Sequence, residues 1–229
     1  MSVPLVLVAA SGLAREVLAA LAHDGCGFEV RGLLDDAPNL QGTTVGGFPV
    51  LGTLDVAAAH LDARFLVCAG KGSSRASIVE RLTRLGVAQD GYATFVHPRA
   101  SVPGTCRIGC GSVILAGTVL TTDVNVGRHV VAMPNVTLTH DDSVADFATL
   151  CAGVSLGGSV RVGRAAYLGM NSSVREHTTV GFDAVLGMGA ALVADLPDGQ
   201  TWVGVPARPR QSTPVTGTTY DTTSMGSLS

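Results

Sequence analysis

Every sixth residue from Ile108 to Leu192 is Ile, Leu or Val, with Ala132 as the one break in the column. A spacing of six fits neither an amphipathic helix nor an alternating strand. It is the spacing of a hexapeptide-repeat parallel β-helix, in which one aliphatic side chain per hexad points into a narrow core. Three hexads close one triangular coil, so residues 18 apart stack on one face. One such face carries Val113, Leu115, Val131, Met133, Cys151 and Tyr167, and another carries Arg107, Asn125, Ser143, Arg161 and Thr179. The apolar face calls for a partner, and an oligomer interface is expected, because a domain attached at one end of the prism is not expected to cover its whole length. Glycine recurs just after the inward residue, at Gly109, Gly127, Gly157, Gly163, Gly169, Gly181 and Gly187, where a tight corner needs a permissive backbone.

Residues 1–95 read differently, as a small α/β layer domain. Strands are expected over Pro4–Ala9, Phe28–Leu34 and Arg64–Ala69, and helices over Ala14–His23, Leu54–Leu61 and Ser73–Leu85. The prism then occupies 96–210, and 211–229, rich in Ser, Thr and Gly, reads as a flexible tail. In the α/β domain, strands meet helices at Ala9-Ala10-Ser11-Gly12 and Gly70-Lys71-Gly72-Ser73, loops at strand carboxyl ends where open sheets bind ligands. Ser11-Gly12 with Asp35-Asp36 has the spacing of a phosphate turn and a ribose-binding acid. Ala9 stands where the first glycine of that turn belongs, and a plain strand-to-helix turn fits equally well.

Composition narrows the function by exclusion. With 46% hydrophobic residues and a mean hydropathy of +0.38, the chain can build real cores. It has no apolar run long enough to span a bilayer and no signal-peptide pattern, so a cytoplasmic address is expected. A net charge of −3 without a basic cluster gives no reason to expect nucleic acid or an anionic membrane as partner. The five scattered cysteines suggest neither a disulfide framework nor a metal set, and no metal is expected.

His140 is the candidate for chemistry. It falls at the corner after the inward Leu138, with Gly158 one coil further on and Glu176 one beyond. An imidazole at a corner can take a proton from an amine or hydroxyl, and a glycine beside it leaves room for a thin thioester arm. A solvent-exposed corner histidine is the competing reading. Asp141 or Asp142 could orient the ring, or the pair could be a solvated acidic turn. His97 precedes Pro98 at the junction, His129 and His177 sit at other corners, and His23 and His60 read as helix surface.

Ala10-Ser11-Gly12, Arg15-Glu16, Asp35-Asp36, the hexads with Thr139-His140-Asp141 and the ending Gly204-Val205-Pro206-Ala207 together resemble the bacterial sialic acid and amino-sugar acetyltransferases of the NeuD and PglD type. The resemblance runs from residue 3 to about 210. It implies a left-handed β-helix behind a Rossmann-like domain, and a cytoplasmic homotrimer using acetyl-CoA as cosubstrate to acetylate a sugar or sugar nucleotide. It implies His140 as general base, Asp141 as its support and the Gly158 amide as donor to the thioester oxygen. Cofactor contacts are expected at Gly158, Gly169, Met170, Gly187 and Met188, and acceptor contacts at Ser11, Gly12, Leu13, Asp35, Asp36, Gly70, Lys71 and Thr149. Members usually carry a histidine where this chain has Leu13, many carry a second where it has Thr149, and a basic residue often stands where it has Ala37. Those departures leave open a non-sugar acceptor, and a trimeric binding or scaffold protein without catalysis is the third reading.

Overall fold

The computed structural model describes residues 2–24 and 27–210; the tail expected at 211–229, Cys26 and the side chain of His23 lie outside the described residues. The first part is a sheet of β1 (Val3–Val8), β2 (Phe28–Leu34), β3 (Thr44–Val45), β4 (Phe48–Gly52) and β5 (Arg64–Val67), with α1 (Gly12–Asp24) and α2 (Gly72–Arg84) beside it. The strand order is β3-β4-β2-β1-β5, parallel except for the β3–β4 hairpin. That hairpin is a departure from the sequence reading, which places no strand between Phe28–Leu34 and Arg64–Ala69. Gly46 and Gly47 take the two positive-φ positions (60° and 85°) that a tight two-residue turn demands. β1 lies between β2 and β5, and its alternate residues face two cores: Leu5 and Leu7 join α1, while Val6 and Val8 join Leu82 of α2.

From Phe95 onward the chain winds into a left-handed parallel β-helix. Its two-residue strands stack as three sheets at a spacing of 18 residues, for example Asn125 beside Ser143, Val131 beside Thr149 and Thr137 beside Ser155. The column of every sixth residue forms the core. A second column runs beside it, four residues later in each hexad: Ser, Thr, Val or Ala at each step from Ser112 to Ala190, fully buried, interrupted once by Asp142. Small side chains are required there because they fill the tight vertices of the triangle.

The glycines after the inward residue serve a different purpose from the one expected. None of them has positive φ. A Cβ on Gly163 would lie 2.6 Å from the carbonyl carbon of Gly181, and one on Gly169 2.5 Å from the Met188 nitrogen, so they are glycine because the next coil's backbone occupies the space. The left-handed position falls two residues later, where Asp123, His129, Asn135, Asp141, Phe147, Ser159, Ala165, Asn171, His177 and Asp183 all have φ between 49° and 64°. Short polar side chains, the most tolerant of this region after glycine, take most of these positions.

The apolar face is divided. Val113, Leu115 and Val131 are buried against Leu5, Leu7, Leu13 and Val17, so the N-terminal domain covers the first coils of the face expected as an oligomer interface, though not its whole length. At the joint, Arg75 of α2 is fully buried. Its Nε donates to the His129 carbonyl, Nη1 to those of Ala69 and Gly70, and Nη2 to those of Phe147 and Ala148 and to Thr149 Oγ1, all at 2.8–2.9 Å. Gly72 lets the start of α2 touch the prism, since a Cβ there would strike the Phe147 carbonyl. His129, expected at a corner without a partner, is buried in this joint, stacked on Phe147 (5.1 Å between centroids) and edge-on to Tyr92 (4.6 Å).

Candidate active site

His140 and Asp141 sit at the second-coil vertex between the sheet containing Thr137–Leu138 and the sheet containing Ser143–Val144. Asp141 takes the left-handed position (φ 63°), which turns its carboxylate back so that Oδ2 lies 2.8 Å from His140 Nδ1. The Nδ1–H therefore donates to the carboxylate, and Nε2 is left as the acceptor. The pair is open, with about 60% of each side chain exposed. Gly158 lies directly beneath the ring: a methyl built on it would run into the imidazole, with Nε2 the nearest atom. Asp142, the other half of the acidic pair, points the opposite way and is fully buried. Its Oδ2 accepts the Thr139 N–H and its Oδ1 the Val160 N–H, both at 2.8 Å, and desolvation pushes its pKa up to about 6. Asp141 is thus the residue that meets the ring.

The four residues expected along the later coils, Gly169, Met170, Gly187 and Met188, converge on one apolar groove of about 330 Å³ with Met133, Cys151, Tyr167 and Val185. Met170 and Met188 are 48% and 72% exposed, an unusual state for methionines grouped on one surface. Burial raises the Cys151 thiol pKa, and its hydrogen bond with Tyr167 helps push the phenol up to about 12. This groove lies at the vertex between the Thr149 and Ser155 sheets, whereas His140 and Gly158 lie at the other edge of the Ser155 sheet.

In the N-terminal domain, the loops after β1 and β5 meet where the strand order reverses, the crevice that open sheets use for ligands. Ser11 Oγ donates across it to the Cys68 carbonyl (2.5 Å). Ala9 has φ 72°, so it holds the glycine-like turn despite its side chain. The Asp35 oxygens accept the Ala10 and Ala37 amides, and those of Asp36 accept the Leu54 amide and Arg81, which also reaches Asp55. Leu13 is buried in the interdomain core, and Thr149 Oγ1, also buried, donates to the Gly70 carbonyl. Lys71 is exposed beside Gly70 at the same loop. Sequence reasoning did not single out Arg75 or Asp142 for the roles they take. The signals were an arginine early in α2 beside two glycines, and an acid in a column of small residues.

Residues 4–82 match the family model of the PglD N-terminal domain. GDP-perosamine N-acetyltransferase of Escherichia coli O157:H7 is 28% identical over 181 residues, 76% of this chain and 80% of that protein. The acetyltransferase domain of PglB from Neisseria gonorrhoeae, solved in complex with acetyl coenzyme A, is 31% identical and superposes with a TM-score of 0.82 over 92% of this chain and 100% of that one. The chain belongs to the NeuD/PglD-type acetyltransferase family. PerB from Caulobacter crescentus, solved with CoA and GDP-perosamine, is 26% identical with a TM-score of 0.81, over 91% of this chain and 97% of that one. Against these NeuD/PglD-type proteins the match runs through both the α/β domain and the prism, so the family assignment does not rest on the hexads alone.

Proposed function

We propose that this protein is an acetyl-CoA-dependent acetyltransferase that acts on an amino group of a sugar nucleotide, with His140 as general base. The observation that carries the reading is the His140–Asp141 pair over Gly158. Asp141 keeps the Nδ1 proton in place, so Nε2 is free to take a proton from the attacking amine and, once charged, is steadied by the carboxylate. The Gly158 amide is assigned to donate to the thioester oxygen as charge builds on it; the C–S bond then breaks, and the coenzyme A thiolate leaves with the proton that His140 took from the amine. Acetyl-CoA bound along the prism supplies the acyl group as a thioester; the apolar groove with Gly169, Met170, Gly187 and Met188 suits its thin pantetheine arm. The acceptor is assigned to the crevice of Ser11, Gly12, Asp35, Asp36, Gly70 and Lys71.

Catalytic corner and apolar groove lie at opposite edges of one sheet, so a single copy cannot bring them together. A second copy can, by setting its groove against the first one's corner, and three copies close the ring. This arrangement supports a homotrimer with the active site shared between neighbours, and it would cover Met170 and Met188. Acetyl-CoA is a cytoplasmic metabolite, which is the ground for a cytoplasmic site of action; among the described residues no helix is long and apolar enough to cross a membrane.

Leu13 and Thr149 favour a second acceptor class. Both positions are spent on interdomain packing and bonding, so the acceptor is held without the histidines usual there. A non-sugar metabolite amine handled by the same histidine fits that loss. The deciding experiment follows free-thiol release from acetyl-CoA with a panel of amino-sugar nucleotides and non-sugar amines, with calorimetry of acetyl-CoA binding beside it. Turnover with the sugar nucleotides supports the first reading. Acetyl-CoA binding with turnover only on other amines supports the second, and absence of binding would leave a scaffold role.

A further inference from the structure

Asp142 stands out once the prism is read hexad by hexad. It is the one charged residue in a buried column otherwise built from Ser, Thr, Val and Ala. Placing a carboxylate there is costly, because burial disfavours its charged form and two amide donors only partly offset the loss of water. A valine in its place would continue the column, as Val124 does one coil before and Val160 one coil after. The position therefore sacrifices packing for hydrogen bonding.

What those hydrogen bonds do is specific to this vertex. At the equivalent vertices, the amide following the inward residue donates to the inward carbonyl of the next coil: Thr121 to Leu138, Gly157 to Val174, Arg175 to Leu192. Thr139 breaks the rule. Its amide turns to Asp142 Oδ2, and its hydroxyl takes over the Leu156 carbonyl at 3.1 Å. The strand pairing registers this: neighbouring prism strands pair at two positions, but Thr137–Leu138 and Ser155–Leu156 pair only at Thr137 and Ser155. The second oxygen of Asp142 accepts the Val160 amide. One carboxylate thus holds the turn that carries His140, from Thr139 to Asp142, and ties it to the turn that carries Gly158.

We propose that Asp142 is a positioning residue for acyl transfer, a buried carboxylate that opens the β-ladder at this single vertex and sets the separation of the His140 ring from the Gly158 amide. The proposal rests on the assignment of His140 and Gly158 to the reaction. Asp142 itself touches neither reacting group; it acts by fixing the backbone on either side of the gap. Base and oxyanion donor then have a defined spacing before substrate arrives, and a displacement on the order of an ångström in such a pair is worth about a hundredfold in rate.

The test uses Asp142→Val, which suits the column, and Asp142→Asn, which keeps the shape and one acceptor. With acetyl-CoA and an acceptor turned over by the unaltered protein, Asp142→Val is expected to lower kcat by roughly ten- to a hundredfold. KM for both substrates should stay within about twofold and the melting temperature should not fall, with Asp142→Asn intermediate in kcat. A purely structural role predicts the reverse, a lower melting temperature with kcat intact, and that result overturns the proposal, as does a rise confined to KM. A crystal structure of Asp142→Val gives a readout independent of turnover: the Thr139 amide should return to the Leu156 carbonyl and the His140 ring should shift relative to Gly158. An unmoved vertex overturns the proposal even if no acceptor is found. Should His140→Ala retain full turnover, the assignment of the base fails instead, and the crystallographic result still decides whether Asp142 holds the vertex open.

Discussion

His140 Nδ1 and Asp141 Oδ2 are 2.8 Å apart on an open vertex of the prism. Exposed side-chain pairs of this kind contribute little to stability, about 0–1 kcal/mol, so the arrangement is more informative about chemistry than about folding. His140→Ala is expected to lower kcat by about a hundredfold to ten-thousandfold while the melting temperature hardly moves. Asp141→Asn, which removes the carboxylate but keeps a hydrogen-bond acceptor, should produce a smaller loss. Steady-state kinetics with free-thiol detection measures both, and near-normal turnover of His140→Ala would eliminate it as the base.

Arg75 makes six hydrogen bonds to neutral acceptors, four of them across the joint to the prism and two to Ala69 and Gly70 of its own domain, with no carboxylate among them. Burial lowers its pKa to about 10, which still leaves it charged at neutral pH. Lysine has three donors and no planar fork, so Arg75→Lys leaves buried carbonyls unpaired. A loss of about 3–5 kcal/mol in unfolding free energy is expected, since each buried carbonyl left without a donor costs about 1–3 kcal/mol. Denaturant titration checks it, and a change under about 1 kcal/mol would show that the joint does not depend on this residue.

The two backbone rules of the chain predict opposite responses to small substitutions. Ala9 holds φ 72° at the first loop, so Ala9→Gly should stabilise by about 1 kcal/mol by relieving a left-handed alanine. Gly163 has ordinary φ but no room, so Gly163→Ala should destabilise by about 1–3 kcal/mol through a clash with the Gly181 backbone. Thermal melts of the two variants should move in opposite directions.

The six-residue column made the prism legible because an aliphatic core with that period has few other solutions, and β2, α1 and α2 were legible from apolar runs bounded by turn signals. The β3–β4 hairpin was not, because two-residue strands carry no periodicity. His140, Asp141 and Gly158 could be placed together since coil arithmetic puts residues 18 apart in register. Arg75 and Asp142 could not be read in the same way: an arginine on a helix is ordinarily solvated, and its burial depends on how two domains dock. The covering of Val113, Leu115 and Val131 was missed for the same reason, as domain docking leaves no periodic trace. The second column of small residues was present in the sequence, and counting it would have marked Asp142 as its exception.

Two buried groups give stability opposed pH dependences. Burial first, then the nearby Arg128 and Arg75 charges, lowers the His129 pKa from 6.5 to about 4, so the unfolded chain takes up a proton before the folded one does. Stability from His129 is therefore complete above about pH 6.5 and falls as pH drops toward 4, by about 3 kcal/mol. Asp142 works the other way. Desolvation raises its pKa from 3.8 to about 6, the unfolded chain loses its proton first, and stability falls by about 3 kcal/mol as pH rises through that window. Between about pH 4 and 6 the two contributions nearly cancel in the unaltered protein. His129→Phe, which preserves the aromatic stack at a vertex where Phe147 already shows phenylalanine to be accommodated, should leave a melting temperature that falls with rising pH. Asp142→Val should leave one that rises with pH. Melts of both variants across pH 4–7 decide it: parallel slopes would mean that neither group carries the linkage assigned to it.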